Sequence, residues 1–189
     1  MSFYSYEELK RIGFSSFGEN VLISKKASIY GAKNIDIGNN VRIDDFCVLS
    51  CGNGKFKIGN YIHIAVYSSI IGAGDFILSD FSNISSRVSI YTSNDDYSGN
   101  FMTNPMVPDT FTNVKSLSVF IGKHVIIGSG TIVLPGIHIE DGCAIGALSL
   151  VNNNCERNNI YAGVPVKKIK KRKTNYISLE KKLLSINND

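Results

Sequence analysis

Residues 121–151 read IGKHVI IGSGTI VLPGIH IEDGCA IGALSL V, and their spacing decides the fold. An aliphatic residue returns every six positions, at Ile121, Ile127, Val133, Ile139, Ile145 and Val151. Four places after each anchor stands a second small or apolar residue (Val125, Thr131, Ile137, Cys143, Ser149), and Gly122, Gly128 and Gly146 directly follow theirs. A period of six matches neither the 3.6-residue helix nor a strand of period two. It fits short extended pieces joined by sharp turns, with the anchor pointing inward and Gly, Asn or Asp near the turn. The unit recurs toward the N-terminus in broken form, at Ile23 and Ile29, then Ile37, Ile43 and Leu49, then Ile58, Ile64 and Ile70, then Leu78, Ile84 and Ile90. The interruptions at 30–36, 50–57 and 71–77 are where loops are expected to bulge out.

The rest of the 189-residue chain is consistent with one domain. With 43% hydrophobic and 19% charged residues it can bury a core, and the composition is neither disordered nor that of a nucleic-acid binder. The net charge of +4 is localised: residues 1–166 carry 12 basic and 14 acidic side chains, residues 167–189 carry 8 and 2. No leader-like N-terminus and no run of about 20 apolar residues is present, so the reading is cytoplasmic, without membrane insertion. Cys47, Cys51, Cys143 and Cys155 form no metal-ligand or disulfide pattern, and no metal is expected.

These hexads resemble those of the hexapeptide-repeat acyltransferases. The resemblance implies an all-β-dominated left-handed parallel β-helix with three hexads per triangular coil, and the seventeen anchors give five to six coils. The expected organisation is an N-terminal helical cap over 1–20, the β-helix over 21–166 with a protruding loop at 91–118, and a basic tail with a short helix over 167–189. Ser5-Tyr6-Glu7-Glu8 is a capping box for a helix ending near Ile12, before Gly13. The apolar residues of 176–186 predict a weakly amphipathic segment.

The resemblance also orders the candidate site. Loop 91–118 breaks the repeat longest, and in this family such a loop covers a cleft between subunits. Its Asn94-Asp95-Asp96-Tyr97 holds adjacent carboxylates beside an aromatic. Galactoside-type O-acetyltransferases carry a histidine base there, and this loop has none. A hydroxyl nucleophile needs such a base, whereas a sugar amine only has to shed an ammonium proton. Asp95, with Asp96 second, is therefore the expected catalytic residue, although a carboxylate also stabilises the ammonium and so serves positioning as well. His63, Ser85, Tyr97 and Asp141 are the candidate acceptor contacts. His63 as a base would point instead to an O-acetyltransferase acting on a glycan.

For the donor, Ala162-Gly163-Val164-Pro165-Val166-Lys167 and the residues through Arg172 are similar to the family's terminal signature, departing at Val166. The resemblance implies acetyl-CoA or a related acyl-CoA as co-substrate. Its pantetheine arm would lie along Gly128, Ser129, Gly130, Gly146, Ala147, Ala162, Gly163 and Pro165, with Lys168, Lys171 and Arg172 on the phosphates. The phrases SYEELKRIGF (5–14), VRIDDF (41–46), DDYSG (95–99) and NPMVP (104–108) are similar to a narrower family, the N-acyltransferases of dTDP-4-amino-4,6-dideoxyglucose. That resemblance implies a homotrimer, a nucleotide-linked amino sugar as acceptor and a role in surface-polysaccharide biosynthesis. A nucleic-acid partner is not expected, because it needs a broader basic footprint with stacking aromatics than one short basic segment supplies.

Overall fold

Each hexad in the computed structural model, which describes residues 2–186, is one short strand and one corner. Sixteen of the seventeen anchors are at most 3% exposed, and only Ile29 is partly open. The small residues four places on, among them Ala27, Cys47, Ser68, Ser82, Val88, Thr131, Cys143 and Ser149, are buried behind the corners.

The strands form three parallel faces. The first holds Ser16–Phe17, Ile35–Ile37, Phe56–Ile58, Phe76–Leu78, Val119–Ile121 and His138–Ile139. The second holds Val21–Ile23, Val41–Ile43, Ile62–Ile64, Asn83–Ile84, Ile126–Ile127, Ala144–Ile145 and Asn159–Ala162, with Lys167–Lys171 added antiparallel at its end. The third holds Ser28–Tyr30, Val48–Cys51, Ser69–Gly72, Ser89–Tyr91, Ile132–Val133 and Leu150–Val151. Successive coils stack in register, Ile64 on Ile84 on Ile127 on Ile145. Seven parallel strands on the second face make seven turns, against the five to six that the aliphatic anchors suggest. The extra hexads escaped the aliphatic pattern because their buried residues are Cys155 and Tyr161 at one end and a partly buried Phe17 at the other.

The corners match expectation in part, with Gly130, Gly136, Gly142, Asn40 and Asn158 in the left-handed region. Glycines directly after anchors are not the left-handed residues. They are glycine because the next coil comes too close: a Cβ on Gly128 would stand 2.5 Å from the Ala147 amide nitrogen, and one on Gly122 would stand 2.5 Å from the Asp141 carboxylate. The left-handed backbone falls three places after the anchor, often on bulky residues: Phe46, Tyr61, Tyr67, Phe81, Arg87, His124 and Leu148 all have positive φ. That conformation costs a non-glycine residue about 1–2 kcal/mol. Stacking along the corners offsets it, at about 0.5–1.5 kcal/mol per aromatic pair. On the first-to-second corner Tyr61, Phe81 and His124 lie face to face, with centroids 4.8 and 5.0 Å apart. On the second-to-third corner Phe46 stacks on Tyr67 at 4.9 Å, with Lys26 and Arg87 over the outer ring faces.

Two helices flank the coils. Tyr6–Ile12 (α1) has the reciprocal Ser5–Glu8 capping box, and Gly13 ends it at φ 79°. Tyr176–Ile186 (α2) lies along the first-to-second corner: Tyr176 bonds Asn158, and Glu180 bonds His124 at 2.7 Å. The last three residues of the expected tail, 187–189, lie outside the described residues. No helix among the described residues is long and apolar enough to cross a membrane.

Every insertion leaves at one corner, between the third face and the next coil's first face. The largest, 91–118, is closed at its base by Ser93–Asn94 pairing antiparallel with Lys115–Ser116, and carries a single helical turn at Asp109–Phe111.

Truncating Ile127, which is fully buried, to Ala should lower unfolding free energy by about 2–5 kcal/mol in urea melts. The neighbouring outward Ile126→Ala should cost much less. Equal costs would contradict the assigned inward register.

Candidate active site

On the second face the residues before and after each anchor point outward, one above the other. From the second coil to the seventh they are Arg42 and Asp44, His63 and Ala65, Asn83 and Ser85, Ile126 and Gly128, Ala144 and Gly146, Ile160 and Ala162. The strip changes character in the middle. Coils two to four are mostly polar and ionisable, whereas coils five to seven are apolar, and there the positions after the anchors are reduced to Gly128, Gly146 and Ala162.

The small half gathers most of the residues that the sequence assigns to the donor. Gly128, Ser129 and Gly130 lie beside Gly146 and Ala147, and these beside Ala162 and Gly163. Glycine is required at two of these places: a Cβ at Gly146 would meet that of Ala162 at 2.9 Å, and Gly130 (φ 71°) is crowded by Leu148. Buried hydroxyls hold this backbone still. Ser149 donates to the Gly146 carbonyl at 2.7 Å and accepts from the Gly163 amide at 3.1 Å, and Thr131 donates to the same carbonyl. The halves meet where the Ser86 and Ser129 hydroxyls lie 3.2 Å apart, and the buried Ser68 hydroxyl donates to the Ser85 carbonyl at 2.9 Å.

The polar half contains a cluster that motif reading did not find. Asp44, 5% exposed, accepts from the Arg42 Nε at 2.7 Å and lies 2.8 Å from His63 Nε2. Burial pushes the Asp44 carboxyl up, but the His63 and Arg42 hydrogen bonds outweigh it and hold the group below the ordinary carboxylate range. The sequence signal was the alternation Arg42-Ile43-Asp44 around an anchor, which puts both charges on the same outward side.

The loop separates its two aspartates. Asp95 is exposed and lines a cavity of about 480 Å³ over the third face, with Asn94, Tyr97, Tyr91, Ile132 and Leu150. Asp96 is turned into the loop, where it accepts from the Ser98 hydroxyl at 2.9 Å and from the Gly99 amide at 3.0 Å. Desolvation raises its carboxyl, and these bonds together with the Phe101 amide bring it below the ordinary value. Asp141 stands on the first-to-second corner and not on the strip, accepting from the Lys123 amide at 2.8 Å, with Arg157 at 3.6 Å.

The basic segment is divided too. Lys168 and Lys171 border a cleft of about 470 Å³ at the C-terminal end, Lys168 paired with Glu156 at 2.8 Å. Arg172 has partners inside the fold: its Nη1 donates to the carbonyls of His124, Gly142 and Cys143, and its guanidinium lies over Tyr176. Pro165 follows a cis peptide bond in the turn between the last two strands. Among the described residues no cluster of His, Cys, Asp and Glu could hold a metal ion.

No protein-family profile matches the chain. It is 58% identical to the dTDP-4-amino-4,6-dideoxy-D-glucose acyltransferase of Escherichia coli, over 95% of this chain and 94% of that one. It is 52% identical to AntD, an N-acyltransferase from Bacillus cereus whose crystal structure holds dTDP and 3-hydroxybutyryl-CoA; the TM-score is 0.94 over 100% of this chain and 99% of that one. A putative lipopolysaccharide biosynthesis O-acetyl transferase of E. coli is 32% identical over 79% of this chain and 74% of its own. Fold and strip thus define a left-handed β-helix acyltransferase of the hexapeptide-repeat class. Within that class, the chain belongs to the family of dTDP-4-amino-4,6-dideoxyglucose acyltransferases.

Asp96 gives the loop a pH signature. A carboxyl with a lowered folded value stabilises the loop fully above the ordinary aspartate pKa of about 4, and that contribution disappears as pH falls through the lowered value. Amide exchange at Gly99 should therefore accelerate in acid beyond its intrinsic pH dependence. Asp96→Asn should remove this extra acid dependence, and an unchanged profile would contradict the assignment.

Proposed function

We propose that this protein is an acyl-CoA-dependent N-acyltransferase whose acceptor is the amino group of a nucleotide-linked amino sugar, with dTDP-4-amino-4,6-dideoxyglucose the first candidate. The observation that carries this reading is the division of the second-face strip at Ser85 and Gly128. Below the junction, the small residues of coils five to seven leave a path for a slender pantetheine arm. Above it, polar side chains face the space an acceptor sugar would fill. The thioester carbonyl then lies at the junction.

In the reaction, the amine nitrogen attacks the thioester carbonyl carbon, the carbon–sulfur bond breaks, and the CoA thiolate takes the proton lost by nitrogen. The protein holds nitrogen and carbon in attack geometry and offers a backbone N–H to the developing oxyanion, a contact worth a few kcal/mol. Asp95 orients the amine as an acceptor of its N–H. We assign the assembly as a homotrimer in which loop 91–118 brings Asp95 of one copy over the strip of the next. Asp96 supports the loop that carries Asp95. Lys168 and Lys171 meet the CoA phosphates, whereas Arg172 supports the last coils beneath them. The product feeds surface-polysaccharide assembly in the cytoplasm.

AntD supports this assignment through its own chemistry. It has been crystallised with dTDP-4-amino-4,6-dideoxyglucose and CoA as a variant of one serine, and with dTDP and CoA as variants of an aspartate ten positions later. Ser85 and Asp95 have the same spacing here, as do Ser86 and Asp96. The Asp44–His63 pair favours a second reading, O-acetylation of a glycan hydroxyl, because such a nucleophile needs a base.

Free-thiol release from acetyl-CoA and 3-hydroxybutyryl-CoA separates the two. Turnover is expected with dTDP-4-amino-4,6-dideoxyglucose and not with unmodified glycosides, and the reverse would establish the second reading. Asp95→Asn should lower kcat/KM by at least about tenfold, the scale of one well-placed hydrogen bond to a charged group. Rates within a few fold of wild type would remove Asp95 from the mechanism. For the donor, Lys168→Ala should raise KM for acyl-CoA and flatten its dependence on salt; an unchanged KM would exclude the phosphate contact.

A further inference from the structure

The Arg42–Asp44–His63 cluster is not used by the chemistry above, yet it is built with care. An ionised carboxylate can only accept hydrogen bonds. Asp44 takes one from Arg42 Nε at 2.7 Å and faces His63 Nε2 at 2.8 Å, so Nε2 carries a proton and gives it to this bond. In the neutral ring Nδ1 is then an acceptor. It has no hydrogen-bond partner among the described residues, and the His63 side chain is 41% exposed on the outward strip. The cluster is a tautomer lock that presents one bare acceptor nitrogen to the space beside the strip.

Its position in the stack says what that nitrogen can reach. His63 pairs in register with Asn83, the residue before the anchor, whereas Ser85 follows that anchor, so His63 lies one coil beyond Ser85 on the side away from Gly128 and two residues back along the strand. One coil is about 4.8 Å and two strand residues are about 6.6 Å, a diagonal of about 8 Å that an imidazole and a ring hydroxyl span together. An amine at the Ser85–Gly128 junction is out of range for His63, while a group one or two ring atoms from that amine is within it. Building on the function proposed above, we infer that His63 accepts a hydrogen bond from the acceptor-sugar hydroxyl next to the amine, with Asp44 as the positioning residue that fixes the histidine tautomer. His63 is thus a specificity residue and not the base. It selects amino sugars with a free vicinal hydroxyl over deoxygenated or oxidised ones, because an acceptor lacking that hydroxyl leaves the nitrogen unpaired.

The test compares dTDP-4-amino-4,6-dideoxyglucose with its 3-deoxy analogue in the full-length enzyme. His63→Gln should raise KM for the parent sugar about tenfold, with the larger part of the kcat/KM loss in KM. With the 3-deoxy analogue wild type and variant should be equally efficient. Asp44→Asn frees the ring to move its proton to Nδ1; it should reproduce the loss, and nitrogen NMR of His63 should show the tautomer change from Nε2–H in wild type. A penalty that persists in full with the 3-deoxy sugar overturns the inference, as does a wild-type ring protonated at Nδ1 or a loss confined to kcat with the acid limb of the pH profile removed. Wild-type inactivity toward every nucleotide amino sugar would instead refute the function on which the inference rests. An active wild type with an unaffected His63→Gln variant refutes the inference alone.

Discussion

The in-register stacking of identical hexads is the constraint from which everything else follows. Because Ile43, Ile64, Ile84, Ile127 and Ile145 lie on one another, the residues on either side of them are stacked too, and any chemistry written at one hexad position becomes a column along the prism. Backbone bonds between coils set the spacing, and each strand inside a face is satisfied on both sides by its neighbours. At Gly122 and Gly128 that spacing requires glycine, since the neighbouring coil leaves no room for a Cβ there. The corners bear the conformational cost, and the aromatic stacks of Tyr61, Phe81 and His124 and of Phe46 and Tyr67 recover it.

A column geometry makes a binding site by composition alone. No pocket has to be carved into the prism, because a run of Gly, Ala and Ser at one register is already a shallow channel, and a change of composition along the run divides it into a polar and an apolar half. The loops contribute what a straight column cannot. All of them leave at one corner, so the core register is undisturbed, and 91–118 is long enough to carry Asp95 away from the coil that anchors it. Division of labour between adjacent residues follows from local geometry: Asp96 closes the loop on itself, which leaves Asp95 exposed on the cavity wall.

The hexads were legible in the sequence because the repeat is local and its anchors are aliphatic. The end coils were missed for the same reason, their inward positions being Phe17, Cys155 and Tyr161. Glycine and asparagine do occupy left-handed corners, at Gly130, Gly136, Gly142, Asn40 and Asn158, but nothing in composition suggests that phenylalanine, tyrosine or arginine would adopt positive φ at the others, where stacked neighbours offset the strain. The strip of small residues was legible at a fixed register, as Gly128, Gly146 and Ala162. The Asp44–His63 pair was not, because the two residues are nineteen positions apart and meet only once coil two lies on coil three. The carbonyl partners of Arg172 were not legible either, because they lie 29 to 48 residues away.

The central claim, that the small half of the second face is the path of the donor, is most directly tested by calorimetric titration of CoA into Ala147→Trp. Ala147 is exposed and outward, so the indole fills the channel without entering the core. The account predicts an affinity weaker by at least about tenfold with the fold intact by circular dichroism. Wild-type affinity for CoA in a folded Ala147→Trp protein would contradict it.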